Sequence, residues 1–309
     1  MKPSGTTSRR EFLKISTMTM AAGIAAAESA HSAFAGGLFQ YKAKLSAHMW
    51  VYASKYPPNW DATPDLENIF SDLHYAGFDG VEIMDSILRV DGCVEHLQKL
   101  VEQYHLPVSG ASYQNPMWDA SKYDEILADA TKVITRVGQL KGKTLGVSVG
   151  DARHIKTDAE LDAQAKLLKA LIPICVDKGI VLNLHNHTYE VKDDLHDLKG
   201  TLARIPDIKL GPDLNWLIRG GVDPVWFIKT YGHQMVYMHI RDQYKDGTWT
   251  EYVGEGVTDF PAIAAALRGV DFRGRAAVEL AFPKDFVPKN PLREDWKLSH
   301  DYVIKTFGW

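Results

Sequence analysis

Between residues 44 and 280 one unit recurs eight times: a short apolar run rich in β-formers, then a longer stretch with helical spacing. The runs are KLSAHMW (44–50), FDGVEIM (78–84), LPVSGAS (106–112), TLGVSVG (144–150), GIVLNLH (179–185), IKLGPDL (208–214), MVYMHI (235–240) and RAAVEL (275–280). The intervening stretches carry helix punctuation. DLENIFSDLHYAG starts after Thr63-Pro64 and stops at Gly77, and CVEHLQKLVEQYH, YDEILADATKVITRVGQL and ELDAQAKLLKALIPICVDKG repeat the pattern. Strands alternating with helices pair in parallel through right-handed crossovers, and eight such units close into a (β/α)8 TIM barrel of the α/β class. The competing architecture, an open sheet that binds dinucleotides, needs a Gly-rich loop after its first strand, and KLSAHMWVY has none. The tail after residue 280 ends in a helical pattern that completes the ring, and no linker interrupts residues 36–309, so one domain is expected there.

The segment ahead of the barrel reads differently. Ser8-Arg9-Arg10-Glu11-Phe12-Leu13-Lys14, an Ala-rich apolar stretch and Ala33-Phe34-Ala35 follow the order of a cleavable export signal. The paired arginines resemble a twin-arginine signal, which implies a periplasmic or otherwise exported protein cleaved near Ala35. Roughly 270 residues remain, a usual length for one α/β barrel. A net charge of −4 gives no electrostatic reason to bind nucleic acid, and no later run is long and apolar enough to span a membrane. Cys93 and Cys175 fall in two different predicted helices, which favours two buried thiols over a disulfide, and neither has zinc-motif spacing.

In such barrels the site lies at the carboxyl ends of the strands. Polar residues gather there: His48 and Trp50, Glu82 and Asp85, Asp151 and His154, His185, Asn186 and His187, Asp213 and Asn215, His239 and Asp242, and Glu279. Asp213, His239 and Glu279 come from three consecutive strand ends, and two carboxylates with one imidazole suit a single divalent metal ion. Mixed ligation favours Mn²⁺, Zn²⁺, Co²⁺ or Fe²⁺ over Ca²⁺, with Mg²⁺ also compatible. Each residue alone also has an ordinary role: Glu279 pairing with Arg275 or Arg241, His239 as a hydrogen-bonded rim residue, Asp213 capping the next turn.

As a set, GFDGVEI (77–83), HNHTYE (185–190), GPDLNWLIRGGVDP (211–224), VYMHIRD (236–242), GEGVTDF (254–260) and VEL (278–280) resemble the xylose isomerase-like barrels, the sugar phosphate isomerase/epimerase group. The resemblance covers the chain beyond the leader. It implies metal ligands at Asp213, His239 and Glu279, with His185 where isomerases and epimerases commonly carry Glu. It further implies proton abstraction beside a sugar ketone, with His185, Glu279 and Glu82 as catalytic candidates, His185 serving as fourth ligand or as base. The outcome is left open between isomerisation, epimerisation and elimination of the kind a 3-keto-glycoside lyase or dehydratase performs.

For substrate contacts the candidates are His48, Trp50, His187, Glu190, Arg241 and Asp242, with Trp118 and Trp216 as further walls for a sugar. His187 is equally suited to orienting a ligand, and Glu190 to being an ordinary loop carboxylate. Asn186 faces away from its neighbours by strand alternation. Lys and Arg do not cluster at the strand ends, so a non-phosphorylated sugar is expected, and an oligomer is compatible with the sequence. Endonuclease-like hydrolysis needs more metals and a basic surface. A non-catalytic sugar-binding barrel is the other class left standing.

Overall fold

The eight strands are Leu45–His48 (β1), Gly80–Met84 (β2), Val108–Gln114 (β3), Thr144–Ser148 (β4), Val181–Leu184 (β5), Lys209–Leu210 (β6), His239–Ile240 (β7) and Ala276–Glu279 (β8). They form one all-parallel sheet in the order β6-β5-β4-β3-β2-β1-β8-β7. Parallel bridges Leu210↔Met235 and Asp213↔His239 join its two ends, so the ring closes between β6 and β7. The computed structural model describes Tyr41–Trp309 apart from Lys284, and Lys42–Trp309 form one unit. The export-signal reading of residues 1–35 lies outside the described residues.

Helices follow the strands as expected: Trp50–Ala53 (α1), Leu66–Ala76 (α2), Asp85–Arg89 (α3), Cys93–Tyr104 (α4), Tyr123–Gln139 (α5), Asp158–Asp177 (α6), Thr188–Arg204 (α7), Leu214–Arg219 (α8), Pro224–Tyr231 (α9), Phe260–Gly269 (α10) and Leu292–Phe307 (α11). In α2 the buried residues are Leu66, Ile69, Phe70, Leu73 and Ala76, one stripe of a 3.6-residue period turned onto the sheet. Gly77 ends α2 at φ 93°, a left-handed conformation in which a side chain is disfavoured. At the start of α6, Thr157 and Glu160 satisfy each other's backbone N–H groups. The C-terminal α11 packs on α2, and Trp296 donates from Nε1 to Tyr52 at 3.0 Å.

Barrel strands are covered on both faces, and β1, β4 and β8 are buried along their whole length. Two strands are shorter than their apolar runs. Beyond Leu210 comes Gly211-Pro212, and proline has no N–H to give the ladder. Ahead of β7, Val236 N–H bonds Leu210 and Arg275 N–H bonds Val236, so cross-strand bonding begins before the regular strand does. Cys93 and Cys175 are both free and buried, and no helix among the described residues is long and apolar enough to cross a membrane.

Candidate active site

Register sets the floor of the site. His48 is level with Glu82 on one side and Glu279 on the other, and Asp213 bridges to His239. These side chains therefore converge at the carboxyl end of the barrel, beneath a cavity of about 580 Å³. His48, Trp50, His185, His187, His239, Arg241 and Glu279 all line it.

His239 is the hub. Its Nε2 donates to Glu82 at 2.6 Å and its Nδ1 to Glu279 at 2.8 Å, so the ring holds both protons as an imidazolium. Burial opposes that charge, but Glu82 and Glu279 outweigh it and raise the pKa to about 10. Burial likewise pushes Glu279 up, while Arg241, His48 and His239 hold it well below the usual carboxylate range. The Arg241 guanidinium is ion-paired with Glu279 and stands 3.8 Å from Asp213 Oδ2. Tyr237, two residues before His239, donates to Glu82 at 3.1 Å.

Asp213 divides its two oxygens. Oδ1 accepts the N–H groups of Asn215 at 2.8 Å and Trp216 at 2.9 Å, capping α8. Oδ2 is buried without a hydrogen-bond partner. A buried carboxylate oxygen is costly unless something meets it. Donor atoms of His185, Asp213 and His239 lie within 4.8 Å of one another, the one such group among the described residues. His185 makes no side-chain hydrogen bond among the described residues, and burial, then His239 and His187, keep it neutral. The orphaned oxygen and the free imidazole fit a divalent cation. His239 fits once it gives up one of its two protons.

Of the four expected ligands, three are grouped in this way. Glu279 is at the site but is bound to Arg241 and His239 rather than grouped with the other three. Asn186, turned out of the cavity, clasps the Asp213 backbone.

The other candidates separate into those that face the cavity and those that build its wall. Trp50 N–H donates to His48 Nδ1 at 3.2 Å, so Nε2 carries the proton and donates to Ser112 at 2.9 Å. His187 sits in the cavity, lowered by burial to a pKa of about 4, with Nδ1 near Ser148 (3.2 Å) and Tyr189 (3.1 Å).

Glu82, expected as a catalytic group, is buried under His239, with its Oε2 taken by His239 and Tyr237. Glu190 is corrected from a substrate contact to a buried support. Its Oε1 accepts from Ser148 (2.6 Å) and Val149 N–H (3.1 Å), its Oε2 from His187 N–H (2.6 Å), and burial raises its pKa to about 8. Asp242 is likewise not a hydroxyl-binding group: it accepts from the N–H groups of Gln243, Gly254, Gly256 and Thr258 and so holds the loop after β7. Trp118 packs on His154 away from the cavity, whereas Trp216 lines it. Asp151 and His154 also stand outside it, His154 paired with Glu160.

Several cavity residues escaped the sequence reading: Ser112, Ser148, Trp60, Trp249 and Arg89. Ser112 and Ser148 could have been found, since they lie at strand ends. Tyr237, beneath the cavity, shares a strand face with His239 by its spacing of two. Trp60 and Trp249 lie in loops and carry no such signal.

Comparison with known proteins places this geometry in context. The sequence model of the family described as a xylose isomerase-like TIM barrel matches residues 70–304. An inosose dehydratase from Clostridium botulinum is 25% identical over 209 residues, which cover 60% of this chain and 69% of that protein. A D-allulose 3-epimerase from Methylomonas sp. superimposes with a TM-score of 0.69 at 19% identity, over 86% of this chain and 98% of the other. A 3-keto-D-glucoside 4-epimerase from E. coli does so with a TM-score of 0.64 at 17% identity, over 85% of this chain and all of the other (100%).

Proposed function

The chain belongs to the xylose isomerase-like TIM barrel family, and on that premise we propose that it is a sugar isomerase or epimerase that removes a proton beside the carbonyl of a non-phosphorylated keto-sugar. The observation that carries this reading is the convergence of His185, Asp213 and His239 around Asp213 Oδ2, a buried oxygen that accepts no hydrogen bond. These three residues would hold one divalent cation, which polarises a carbonyl and acidifies the neighbouring C–H when bound.

The chain's own groups supply the rest. Glu279 is an ionised carboxylate that lines the cavity from β8, held in place by Arg241 and His239, and serves as a proton acceptor once one of these two partners releases an oxygen. His185 offers a neutral imidazole from β5, three strands away around the ring. It can hold the cation or take a proton, and in the first case Glu279 is the base. His48, protonated on Nε2 toward Ser112, and His187 present further neutral imidazoles for hydroxyl contacts. Both arginines lining the cavity are already ion-paired, Arg89 with Asp85 and Asp129 and Arg241 with Glu279, which fits a substrate without phosphate.

A second reading, elimination as in a dehydratase or lyase, is favoured by the likeness to the inosose dehydratase. Both begin with the same proton removal and differ in what leaves. We place the reaction outside the cytoplasm on the strength of Arg9-Arg10 and the apolar stretch after them. ¹H NMR of 3-keto-glucosides and simple ketoses in D₂O with the metal-loaded protein tests the proposal. Deuterium entering the carbon beside the ketone is the expected result, release of aglycone or water selects elimination, and no exchange with any of them defeats it.

A further inference from the structure

Resting on that sugar reading, we propose that the outer half of the cavity is a subsite for a second ring, so that the substrate is two linked sugar units rather than a free monosaccharide. The first argument is size. A single hexose fills roughly six water volumes of about 30 Å³ each, and the cavity holds about 580 Å³.

Four indoles line the same cavity. Trp50 and Trp60 follow β1, with ring centroids 5.4 Å apart; Trp216 and Trp249 follow β6 and β7, with centroids 5.6 Å apart and edge to face. In the barrel β1 is separated from β6 by β8 and β7, so the two pairs rise from different sides. Neither pair was needed to explain the chemistry at the floor.

The Trp216–Trp249 pair is fixed in advance of any ligand, and so is the main chain of Trp60. Trp249 donates from Nε1 to Asn215 at 2.9 Å, and the guanidinium groups of Arg219 and Arg241 lie 4.7 and 4.8 Å from its ring. The same two arginines lie 5.2 and 5.6 Å from Trp216. Trp60 is 37% exposed at the rim with φ 54°, a conformation that costs energy for a bulky side chain. It is held there by its N–H to Tyr56 at 2.7 Å and by Ser86, which donates to its carbonyl at 2.9 Å. Walls set before binding reduce the ordering cost of capturing a flat ring.

Polar groups in the same space indicate what kind of ring. Asn59 and Gln114 line the cavity, and neither side-chain amide is hydrogen-bonded among the described residues. Hydroxyls of a sugar ring would satisfy them while its C–H faces stack on the indoles.

Isothermal titration of the purified full-length protein with methyl β-glucoside, para-nitrophenyl β-glucoside, and the disaccharides cellobiose, maltose, sucrose and trehalose tests this. At least one disaccharide is expected to bind about tenfold tighter than methyl glucoside, and Trp60→Ala and Trp249→Ala each to cut that ratio about fivefold, with Trp60→Phe restoring most of it. A ratio near one, including no binding by either class, overturns the subsite. So does a ratio that survives both substitutions, and preference for the nitrophenyl glucoside overturns its assignment to a sugar. None of these ligands has to react, so the result is independent of whether deuterium exchange succeeds.

Discussion

Asn186 and Asp213 hold each other through the backbone: Asn186 Nδ2 donates to the Asp213 carbonyl at 3.4 Å, and Asp213 N–H donates to Asn186 Oδ1 at 3.2 Å. Both residues are buried, and the clasp lies on the side of β5 turned away from the cavity. It fixes the main chain from which the Asp213 carboxylate projects. Asn186→Ala leaves the buried Asp213 N–H unmet, while the Asp213 carbonyl keeps the Leu217 N–H at 3.1 Å, a cost of roughly 1–3 kcal/mol. Thermal or denaturant unfolding should report that loss. Metal affinity should fall with it, although Asn186 itself offers the metal nothing.

The three-residue grouping separates Asp213 from Glu279 by experiment. If His185, Asp213 and His239 are the donors, Asp213→Ala should abolish metal retention. Glu279 orients His239 through Nδ1, and removing such an outer partner weakens metal binding by about 10–100-fold without abolishing it. Metal analysis of both variants during stepwise chelator competition distinguishes the cases. Equal loss in the two would restore Glu279 as a direct ligand, and full retention in both would end the metal proposal.

Glu190 gives a pH signature with a definite sign. Its folded pKa is raised by burial to about 8, above the roughly 4.3 of an unfolded glutamate. Its favourable contribution is therefore complete below about pH 4.3, declines as the unfolded chain ionises first, and is lost as pH rises through the folded value. Unfolding free energies of wild type and Glu190→Gln from pH 4 to 9 should differ in slope, by at most about 1.4 kcal/mol per pH unit between those limits. Glutamine is destabilising in absolute terms, because its amide N–H₂ meets donors from Ser148, Val149 or His187. The flatter curve, not the lower one, is the diagnostic, and parallel curves would show that Glu190 ionises normally.

The barrel was legible because its strands are buried on both faces and so appear as continuous apolar runs, with polar residues only where each run meets the cavity. That pattern brought out His48, His185, His239 and Glu279. It could not say which carboxylates just past a strand end turn inward. Glu190 and Asp242 lie where the chain bends into a helix or loop, and there the free backbone N–H groups claim them first. The His187-to-Glu190 spacing does match an N-cap and its third helical residue, so the capping role had a sequence signal that was read as chemistry. The Arg241–Glu279 pair is an ordinary alternative to metal ligation that the sequence leaves open. Side-chain reach, which spacing along a chain does not encode, brings that pair together.

Asp242 offers the clearest separation of support from chemistry. Its carboxylate gathers four backbone N–H groups, from Gln243 at 2.8 Å, Gly254 at 3.0 Å, Gly256 at 2.9 Å and Thr258 at 3.3 Å. The loop it ties down carries Trp249 into the cavity wall. At Gly256 an added Cβ would overlap the carboxylate, so backbone and side chain are in close approach there. Asp242→Ala removes all four bonds, and even at about 1 kcal/mol each, with partial rehydration, several kcal/mol of local stability are lost. Hydrogen exchange should show faster opening confined to residues 243–258. If metal retention stays intact while turnover falls, Asp242 acts by holding the wall. If metal is lost in step with turnover while the loop stays protected, Asp242 belongs to the metal site instead.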